Sequence, residues 1–306
     1  MQARRFFFFK EDAVTEAAKT QPARSAGARS ALVDPAWLHR HRNDPKVKLI
    51  EIAGMNQDEM QAYKAGHVPG AACWKWKERL WDSHRRDFPT PEDFARRCGE
   101  AGIGNDTTVV FYGEGVQFGV YAWWTFRYCG HAKVKVLDGA RYRWAAEGRP
   151  LTTDEPPPAT PVNYEPVKRV ERMRIRRDKV LAVLRGNATL ILDGRSPEEY
   201  RGERVGGPGG PDVGAVRYGR IPGAKHLYFE DLLDGNRAFR PEPELRQLIA
   251  ARGADTGKEI ITYCRMSHRA TVLYFALTQL LGYRKVRVYD GSWTEWGNLV
   301  DVPIER

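Results

Sequence analysis

Two stretches of this chain occur twice, in the same order and at nearly the same separation. Residues 133–144 read KVKVLDGARYRW and residues 285–296 read KVRVYDGSWTEW, a shift of 152 residues. Upstream, residues 66–71 (GHVPGA) match residues 219–224 (GRIPGA), a shift of 153 residues. This period is far longer than the roughly 20–50 residues of solenoid repeats. The pattern therefore predicts one domain present in two copies, which suits a chain of 306 residues.

A polar, proline-rich stretch separates the two copies. It begins with DEPPP at residues 154–158 and continues to Pro166, a composition that resists both a helix and a central strand. We therefore place the first domain at 31–152, a linker at 153–167 and the second domain at 168–306. Residues 1–30 are interpreted as an extension that we expect to be poorly ordered.

Short apolar runs alternate with helix-length segments in each copy. In the second copy, residues 189–192 (TLIL), 259–263 (EIITY) and 285–289 (KVRVY) are predicted strands, and residues 270–281 have the apolar spacing of a helix. Strands separated by helices indicate an α/β fold, with a mostly parallel sheet flanked by helices in each domain. Ligands of such sheets bind beyond the carboxyl ends of the strands, where residues 264–269 would lie.

These residues, Cys264 to Arg269, read CRMSHR and connect a predicted strand to a predicted helix. Backbone N–H groups in a tight loop can form an anion-binding nest, and the start of the helix adds positive potential. Arg265, His268 and Arg269 add cationic side chains. Because positive surroundings favour the thiolate over the thiol, Cys264 is predicted to be a nucleophile and not an inert core cysteine.

The length of this loop separates two kinds of chemistry. Cys-dependent phosphatases use a C-x5-R cradle sized for a phosphate, whereas Cys264 and Arg269 define a C-x4-R interval that is one residue shorter. A smaller ring of amides suits a single sulfur atom on the cysteine better than a phosphoryl group. The loop therefore favours sulfur chemistry.

The first copy lacks the corresponding groups. At a shift of 152 residues, Cys264 falls on Tyr112, Arg265 on Gly113 and Arg269 on Gln117, so the first domain is predicted to be catalytically silent. The other three cysteines are best interpreted as core thiols. With no C-x-x-C pair and few cysteines, we expect neither a metal site nor a disulfide framework. The three are Cys73, Cys98 and Cys129.

Several motifs together resemble the tandem-domain rhodaneses, the thiosulfate and 3-mercaptopyruvate sulfurtransferases. They are the CRMSHR loop, DGSWTEWGN at 290–298, the two G-x-[IV]-P-G-A blocks, and Asp193-Gly194-Arg195 at a strand end. The resemblance covers nearly all of the chain beyond residue 31. It implies two rhodanese-like domains, an active cleft between them, and sulfur transfer through a Cys264 persulfide to cyanide or a thiol, with no cofactor.

The resemblance also implies a set of substrate-binding residues, namely Arg265, Met266, Ser267, His268, Arg269 and Arg195. The cationic loop favours thiosulfate, a dianion, as the small anionic donor. Two alternatives stay open, a 3-mercaptopyruvate sulfurtransferase and a persulfide carrier that delivers sulfur to a protein partner. Arg195 has a structural alternative, an ion pair with Glu198 or Glu199. Trp293 and the insertion at 206–211 are further candidates for the cleft wall.

Charge and targeting signals limit the partners. The formal charge of +10 favours anionic ligands, but no RNA-binding motif is visible, so we do not expect a nucleic-acid partner. The basic run at 168–177 is interpreted as a solvated face, with a polyanion contact as the alternative. No apolar run reaches the roughly 18 residues of a membrane span, and no secretory signal is recognisable. We therefore expect a cytoplasmic protein with no membrane partner.

Overall fold

A computed structural model of the chain describes residues 31–55, 60–186 and 188–306. The predicted extension at 1–30 lies outside the described residues. Each copy of the repeat folds into a five-stranded sheet in which all strand pairs are parallel, and the two strand orders, β1-β5-β4-β2-β3 and β6-β10-β9-β7-β8, are the same. The predicted α/β fold with two duplicated domains is confirmed.

The strands of the first sheet are β1 (Leu32–Val33), β2 (Val47–Ile52), β3 (Ala72–Trp74), β4 (Thr108–Gly113) and β5 (Val134–Leu137). Those of the second sheet are β6 (Arg174–Ile175), β7 (Thr189–Asp193), β8 (Lys225–His226), β9 (Glu259–Tyr263) and β10 (Val286–Tyr289). The central strands are continuous apolar runs because helices cover both faces of each sheet.

The helices of the first domain are α1 (Pro35–His41), α2 (Gln61–Ala65), α3 (Trp76–Arg79), α4 (Pro91–Glu100), α5 (Val116–Tyr128) and α6 (Ala140–Ala146). The second domain has α7 (Arg177–Val183), α8 (Pro197–Arg201), α9 (Glu242–Ala250), α10 (His268–Phe275) and α11 (Ser292–Trp296). Helix α10 continues as a π-helical turn, so the helix predicted at 270–281 is present. No helix in the described part of the chain is both long and apolar enough to cross a membrane.

Helices α5 and α10 pack against each other and join the two domains. The rings of Trp123 and Phe275 meet edge to face with centroids 4.8 Å apart, and Trp124 lies 6.4 Å from Tyr274. Buried apolar residues of both domains form one continuous cluster. The two domains therefore share one hydrophobic core, and each has a second, separate apolar cluster of its own.

The proline-rich linker is extended, but it is attached to the first domain. Tyr164 is buried against Phe94 and hydrogen-bonds the ring of His131. Further along, the N–H of Val170 donates to the carbonyl of Tyr128 at 2.7 Å. These contacts hold the linker along the first domain up to the point where the second sheet begins.

Two tyrosines show how the copies superpose at the central strands. Tyr112 in β4 lies beside Glu51 in β2, and Tyr263 in β9 lies beside Asp193 in β7. Each tyrosine hydroxyl accepts a hydrogen bond from the N–H at the third position of the G-x-[IV]-P-G-A block, at 3.1 Å in the first copy and 3.2 Å in the second. Tyr112 is therefore the counterpart of Tyr263, at a shift of 151 residues.

This register corrects one prediction. The residue that stands in the place of Cys264 is Gly113, not Tyr112, because the shift of 152 residues that holds at β5 and β10 falls to 151 at β4 and β9. A Cβ on Gly113 would lie 2.7 Å from the Cβ of Phe118. The first copy thus lacks both the nucleophile and the room for one.

Candidate active site

The loop that carries Cys264 is anchored by the segment that follows β10. The N–H of Cys264 donates to the Ser292 hydroxyl at 3.2 Å, and the Cys264 carbonyl accepts from the N–H of Trp293 at 2.9 Å. The carbonyl of Arg265 accepts from the N–H of Thr294 at 3.0 Å. These bonds explain why the DGSWTEWGN motif accompanies the loop, since it fixes the backbone on either side of the cysteine.

Ser267 reverses the chain before α10. Its φ of 73° lies in the left-handed region, and its hydroxyl donates to the carbonyl of Asp290 at 2.7 Å. The Ser267 side chain therefore shapes the loop, and the predicted contact of Ser267 with substrate would be made by its backbone N–H. Within residues 31–55, 60–186 and 188–306, the amide N–H groups of residues 265–267 donate to no other backbone group. The loop keeps these donors for a ligand, as a nest would.

Above the loop lies a cleft of about 610 Å³ between the two domains. Cys264 is almost fully buried, with 1% of its surface exposed, and forms part of the cleft wall. Met266, predicted to bind substrate, also lines it. The first domain contributes residues that include Met55, Glu114, Gln117, Phe118 and Tyr142. The resemblance implied this inter-domain position, and the first domain supplies one wall of the cleft.

His268 lines the cleft, but it does not supply the predicted positive charge. Its ring stacks on Tyr121 of the first domain at 4.0 Å and meets Trp76 edge-on at 4.8 Å. Burial in this aromatic surround lowers the pKa of His268 to about 4. Its Nδ1 lies 3.0 Å from the Met266 carbonyl, which fits a neutral ring donating from that nitrogen. His268 therefore fastens the Cys264 loop to the first domain.

Arg269 also lines the cleft, but its charge is matched by a carboxylate. Its guanidinium donates to both oxygens of Glu199, at 2.6 and 2.8 Å. Burial opposes the charge of Arg269, yet the bonds to Glu199 outweigh it and raise the pKa of the guanidinium. Glu199 is itself fixed by a capping box with Ser196 at the start of α8. The predicted clamp is thus an ion pair, and its net charge is close to zero.

Arg265 is the cation of the loop that keeps its charge unmatched. Its Nη2 donates to the carbonyl of Val213 at 2.7 Å, and in the described part of the chain it has no carboxylate within salt-bridge distance. Half-burial lowers the pKa of Arg265, but a free guanidinium is so strong a base that the side chain stays charged. Gly207 and Pro208 of the predicted insertion line the cleft nearby.

Arg195 does not reach the cleft. Its side chain is fully buried and makes an ion pair with Asp193 at 2.6 Å, and it also donates to the carbonyl of Gly219. The ring of Trp293 lies under the guanidinium at 4.5 Å and is buried as well. The prediction that Arg195 binds substrate and the hypothesis that Trp293 walls the pocket were wrong. The partner of Arg195 is the neighbouring carboxylate Asp193, and not Glu198 or Glu199.

Other cleft residues were not predicted. Tyr228, Phe229 and Leu233 come from the chain after β8, and Glu230 and Arg237 form an ion pair at 3.2 Å on the same side. No motif marks them, because they reach the cleft through a loop far from Cys264 in sequence. The turn at Asp234-Gly235-Asn236, which places Arg237, was the available signal.

The family model of the rhodanese-like domain matches residues 34–147 and again residues 177–299. The chain belongs to the rhodanese family. A sulfur carrier protein of Thermus thermophilus is 43% identical over 280 residues, which cover 90% of this chain and 96% of that protein. A Saccharopolyspora erythraea protein, provisionally assigned as a thiosulfate sulfurtransferase, is 39% identical over 276 residues, or 90% of this chain and 96% of the relative.

Solved structures agree with this assignment. The crystal structure of a 3-mercaptopyruvate sulfotransferase from Escherichia coli matches with a TM-score of 0.72 at 28% identity, over 86% of this chain and 99% of that one. An anaerobic ergothioneine biosynthesis enzyme from Chlorobium limicola has a TM-score of 0.79 at 24% identity, over 90% of this chain and 70% of that one, and shows the fold alone. This rhodanese is thus a member of a family of sulfurtransferases.

Proposed function

We propose that this rhodanese takes the outer sulfur of thiosulfate onto Cys264 and passes it to a thiol or to cyanide. The observation that carries the proposal is the position of Cys264, which lies in an inter-domain cleft beside free loop amides and the unmatched charge of Arg265. Together these groups favour the binding of an anionic donor beside the Cys264 sulfur.

The reaction has two balanced halves. In the first, the Cys264 thiolate attacks the outer sulfur of thiosulfate, the S–S bond of the donor breaks, and sulfite leaves with the electron pair. In the second, an acceptor thiolate or cyanide attacks the outer sulfur of the persulfide, and the Cys264 thiolate leaves. The amides of residues 265–267 would hold the charge on the terminal sulfur between the two halves.

The preference for a dianion rests on fewer charges than the sequence predicts. His268 is neutral and Arg269 is paired with Glu199, so Arg265 is the remaining loop cation that could bind sulfite oxygens. In this cleft, Arg269 contributes an oriented ion pair that fixes the start of α10, and Arg265 is the residue that would recognise the donor.

Intact-mass measurement tests the first half of the reaction. After incubation with thiosulfate, the purified protein should gain the mass of one sulfur, and Cys264→Ser should gain none. Cys129→Ser is a matched control, because Cys129 is a buried thiol outside the cleft and its loss should leave the gain intact. A wild-type protein that stays at its original mass would overturn the proposal.

A second donor separates thiosulfate from 3-mercaptopyruvate, the substrate named for the Escherichia coli neighbour. Arg265→Gln should raise KM for thiosulfate more than KM for 3-mercaptopyruvate, because thiosulfate carries one more negative charge. The KM for thiosulfate should rise about tenfold, which corresponds to the loss of one charge-assisted contact of about 1.5 kcal/mol. If loading is faster with 3-mercaptopyruvate in the wild type, that compound is the donor.

A persulfide carrier is the second candidate. The relative named a sulfur carrier protein is 43% identical, and the cleft of about 610 Å³ is of the size that holds ligands much larger than cyanide. Both observations favour an acceptor bulkier than a small anion. In that case the same Cys264 persulfide would form, and only the acceptor would differ.

A further inference from the structure

One carboxylate lies directly behind the wall of the catalytic cleft. The side chain of Glu199 has no exposed surface, whereas Arg269, its partner, is 13% exposed and lines the cleft. The two form a forked ion pair, in which Nη1 of Arg269 donates to Oε2 of Glu199 at 2.6 Å and Nη2 donates to Oε1 at 2.8 Å. Because both oxygens are used, the guanidinium is fixed in position and its charge is matched within the protein.

The local sequence places Glu199 behind Arg269. Ser196 is the N-cap of α8, and its N–H donates to Oε2 of Glu199 at 3.1 Å, while its hydroxyl accepts from the N–H of Glu199 at 3.4 Å. The chain before α8 also approaches α10 closely, since a Cβ added at Gly194 would lie 3.2 Å from Leu273. The cap and this close approach hold the carboxylate in position, and no ligand is needed to do so.

Glu199 acts on both arginines of the Cys264 loop. Burial opposes the charge of Arg269, and Glu199 and then a thiolate at Cys264 raise the pKa of its guanidinium. Burial lowers the pKa of Arg265, and Glu199 is the largest of the causes that raise it. In the part of the chain that the structure describes, Arg265 itself pairs with no carboxylate. The net charge of this group of three side chains is therefore that of a single arginine.

This balance matters because the proposed reaction handles anions throughout. Thiosulfate enters as a dianion, and sulfite must leave before an acceptor thiolate or cyanide can approach the persulfide. An additional positive charge beside the sulfur would bind thiosulfate and sulfite alike. Such uniform binding lowers KM without accelerating the chemical step, and it retains the product.

We propose that Glu199 is a specificity-determining residue that limits the positive charge beside Cys264 to that of one arginine. It does not line the cleft and acts through Arg269, so it is a positioning residue. Its effect is that the cleft binds a dianion weakly enough for sulfite to leave. This inference rests on the proposed function for the identity of the donor and of the leaving group.

A short series of charge variants tests the proposal. Glu199→Gln removes the negative charge and keeps the cap, because glutamine also serves in a capping box. The double variant Glu199→Gln/Arg269→Gln removes both charges and restores the net charge of the wild type. KM for thiosulfate and the inhibition constant of sulfite should each fall about tenfold in Glu199→Gln, as for one additional charge-assisted contact. Both constants should stay near the wild-type values in the double variant.

Alkylation of Cys264 measures the same charge without any sulfur transfer. Iodoacetate and iodoacetamide are similar in size and attack the same thiolate, but only iodoacetate is an anion. The ratio of their rates therefore reports the electrostatic potential at the sulfur. It should rise about tenfold in Glu199→Gln and return to the wild-type ratio in the double variant. Peptide mapping separates Cys264 from Cys73, which is partly exposed.

Glu259→Gln is the matched control. Glu259 pairs with Arg287 at the start of β9, whereas Cys264 follows the end of that strand. The control therefore makes the same change in net charge at the opposite edge of the sheet. It should leave KM for thiosulfate, the sulfite inhibition constant and the alkylation ratio unchanged.

Thermal unfolding of the variants precedes the kinetic measurements. Removal of one member of a buried ion pair is destabilising, whereas removal of both need not be, so the double variant should melt above Glu199→Gln. If Glu199→Gln does not fold, the double variant still tests the proposal. Its KM for thiosulfate should match that of the wild type, and a tenfold rise would mean that Arg269 itself binds the donor.

Three results would overturn the inference. They are a KM for thiosulfate that is unchanged or raised in Glu199→Gln, an alkylation ratio that does not rise in that variant, and a double variant that differs from the wild type in either measurement. A wild-type protein that thiosulfate does not load is a separate outcome. If the alkylation ratio still follows the charge, that outcome upholds the role of Glu199 and rejects only thiosulfate as the donor.

Discussion

Both domains contain a buried polar frame made of one tyrosine, one carboxylate and one arginine, and the two frames differ in their contacts. In the second domain, the Tyr263 hydroxyl donates to Asp193 at 2.5 Å, and Arg195 pairs with the same carboxylate. In the first domain, Tyr112 hydrogen-bonds Glu51, and Glu51 lies 3.3 Å from the guanidinium of Arg141.

The arginine of each frame comes from a different element. Arg195 lies two residues beyond Asp193, whereas Arg141 comes from α6, at the position that Trp293 holds in the second copy. The frame thus supports the strand ends in both domains, and the copies differ at the next residue along, which is Cys264 in one copy and Gly113 in the other. A shared architecture is therefore no guide to which copy reacts.

The largest difference between the copies should appear when each arginine is replaced by methionine. Arg195→Met leaves Asp193 as an unpaired, fully buried charge and should cost about 3–5 kcal/mol of unfolding free energy. Arg141→Met should cost about 1–3 kcal/mol, because burial already raises the pKa of Glu51 and the carboxyl can take up a proton. Urea titration of both variants measures the two values. Equal losses would contradict the distinction between the frames.

The contact between the domains should respond to pH through His268. Its pKa is about 4 in the folded protein and about 6.5 when unfolded, so the unfolded chain binds more protons between these values. Stability from this residue is complete above pH 6.5 and is lost as pH falls towards 4, by about 3 kcal/mol at most. His268→Phe keeps an aromatic ring and should remove that part of the dependence. Denaturant unfolding of both proteins at pH 7 and pH 4.5 measures this difference. If the wild type and His268→Phe lose the same unfolding free energy between the two pH values, His268 is not the cause.

The smallest expected effect concerns the place in the first copy that corresponds to Cys264. Gly113→Ala puts a Cβ 2.7 Å from that of Phe118 and should cost about 1–3 kcal/mol through overpacking. Gly186→Ala is the matched control, because nothing lies within 4 Å of its added Cβ. Thermal unfolding compares the two. A Gly113→Ala protein as stable as the control would mean that the first copy has room for a nucleophile after all.

The repeat and the loop were sufficient to predict much of this molecule. Local patterns predicted the strand before Cys264 and the helix after it, because those features depend on residues close in sequence. The predicted alignment of the two copies was wrong by one residue at Gly113. A shift measured at β5 and β10 does not carry over to strands that are separated from them by segments of different length.

The charges in the site could not be predicted in the same way. Arg269 meets Glu199, which is 70 residues away in the chain, and His268 is discharged by aromatic rings of the other domain. Neither partner is implied by the loop. For Arg195, the carboxylate only two residues away proved decisive, because a fully buried guanidinium requires the nearest counter-charge. Sequence identified which side chains are present at the site, but not which of them are neutralised.

The core that continues from α5 into α10 has a consequence for how the chain could be divided. A fragment ending in the linker would expose Trp123 and Trp124, and the complementary fragment would expose Tyr274 and Phe275. Each half has a complete sheet, yet each would expose a broad apolar surface to water, which is unfavourable in free energy. The gene duplication that produced two domains therefore did not leave two independent proteins. Each domain buries apolar side chains of the other, so unfolding of one domain should expose those side chains and destabilise its neighbour.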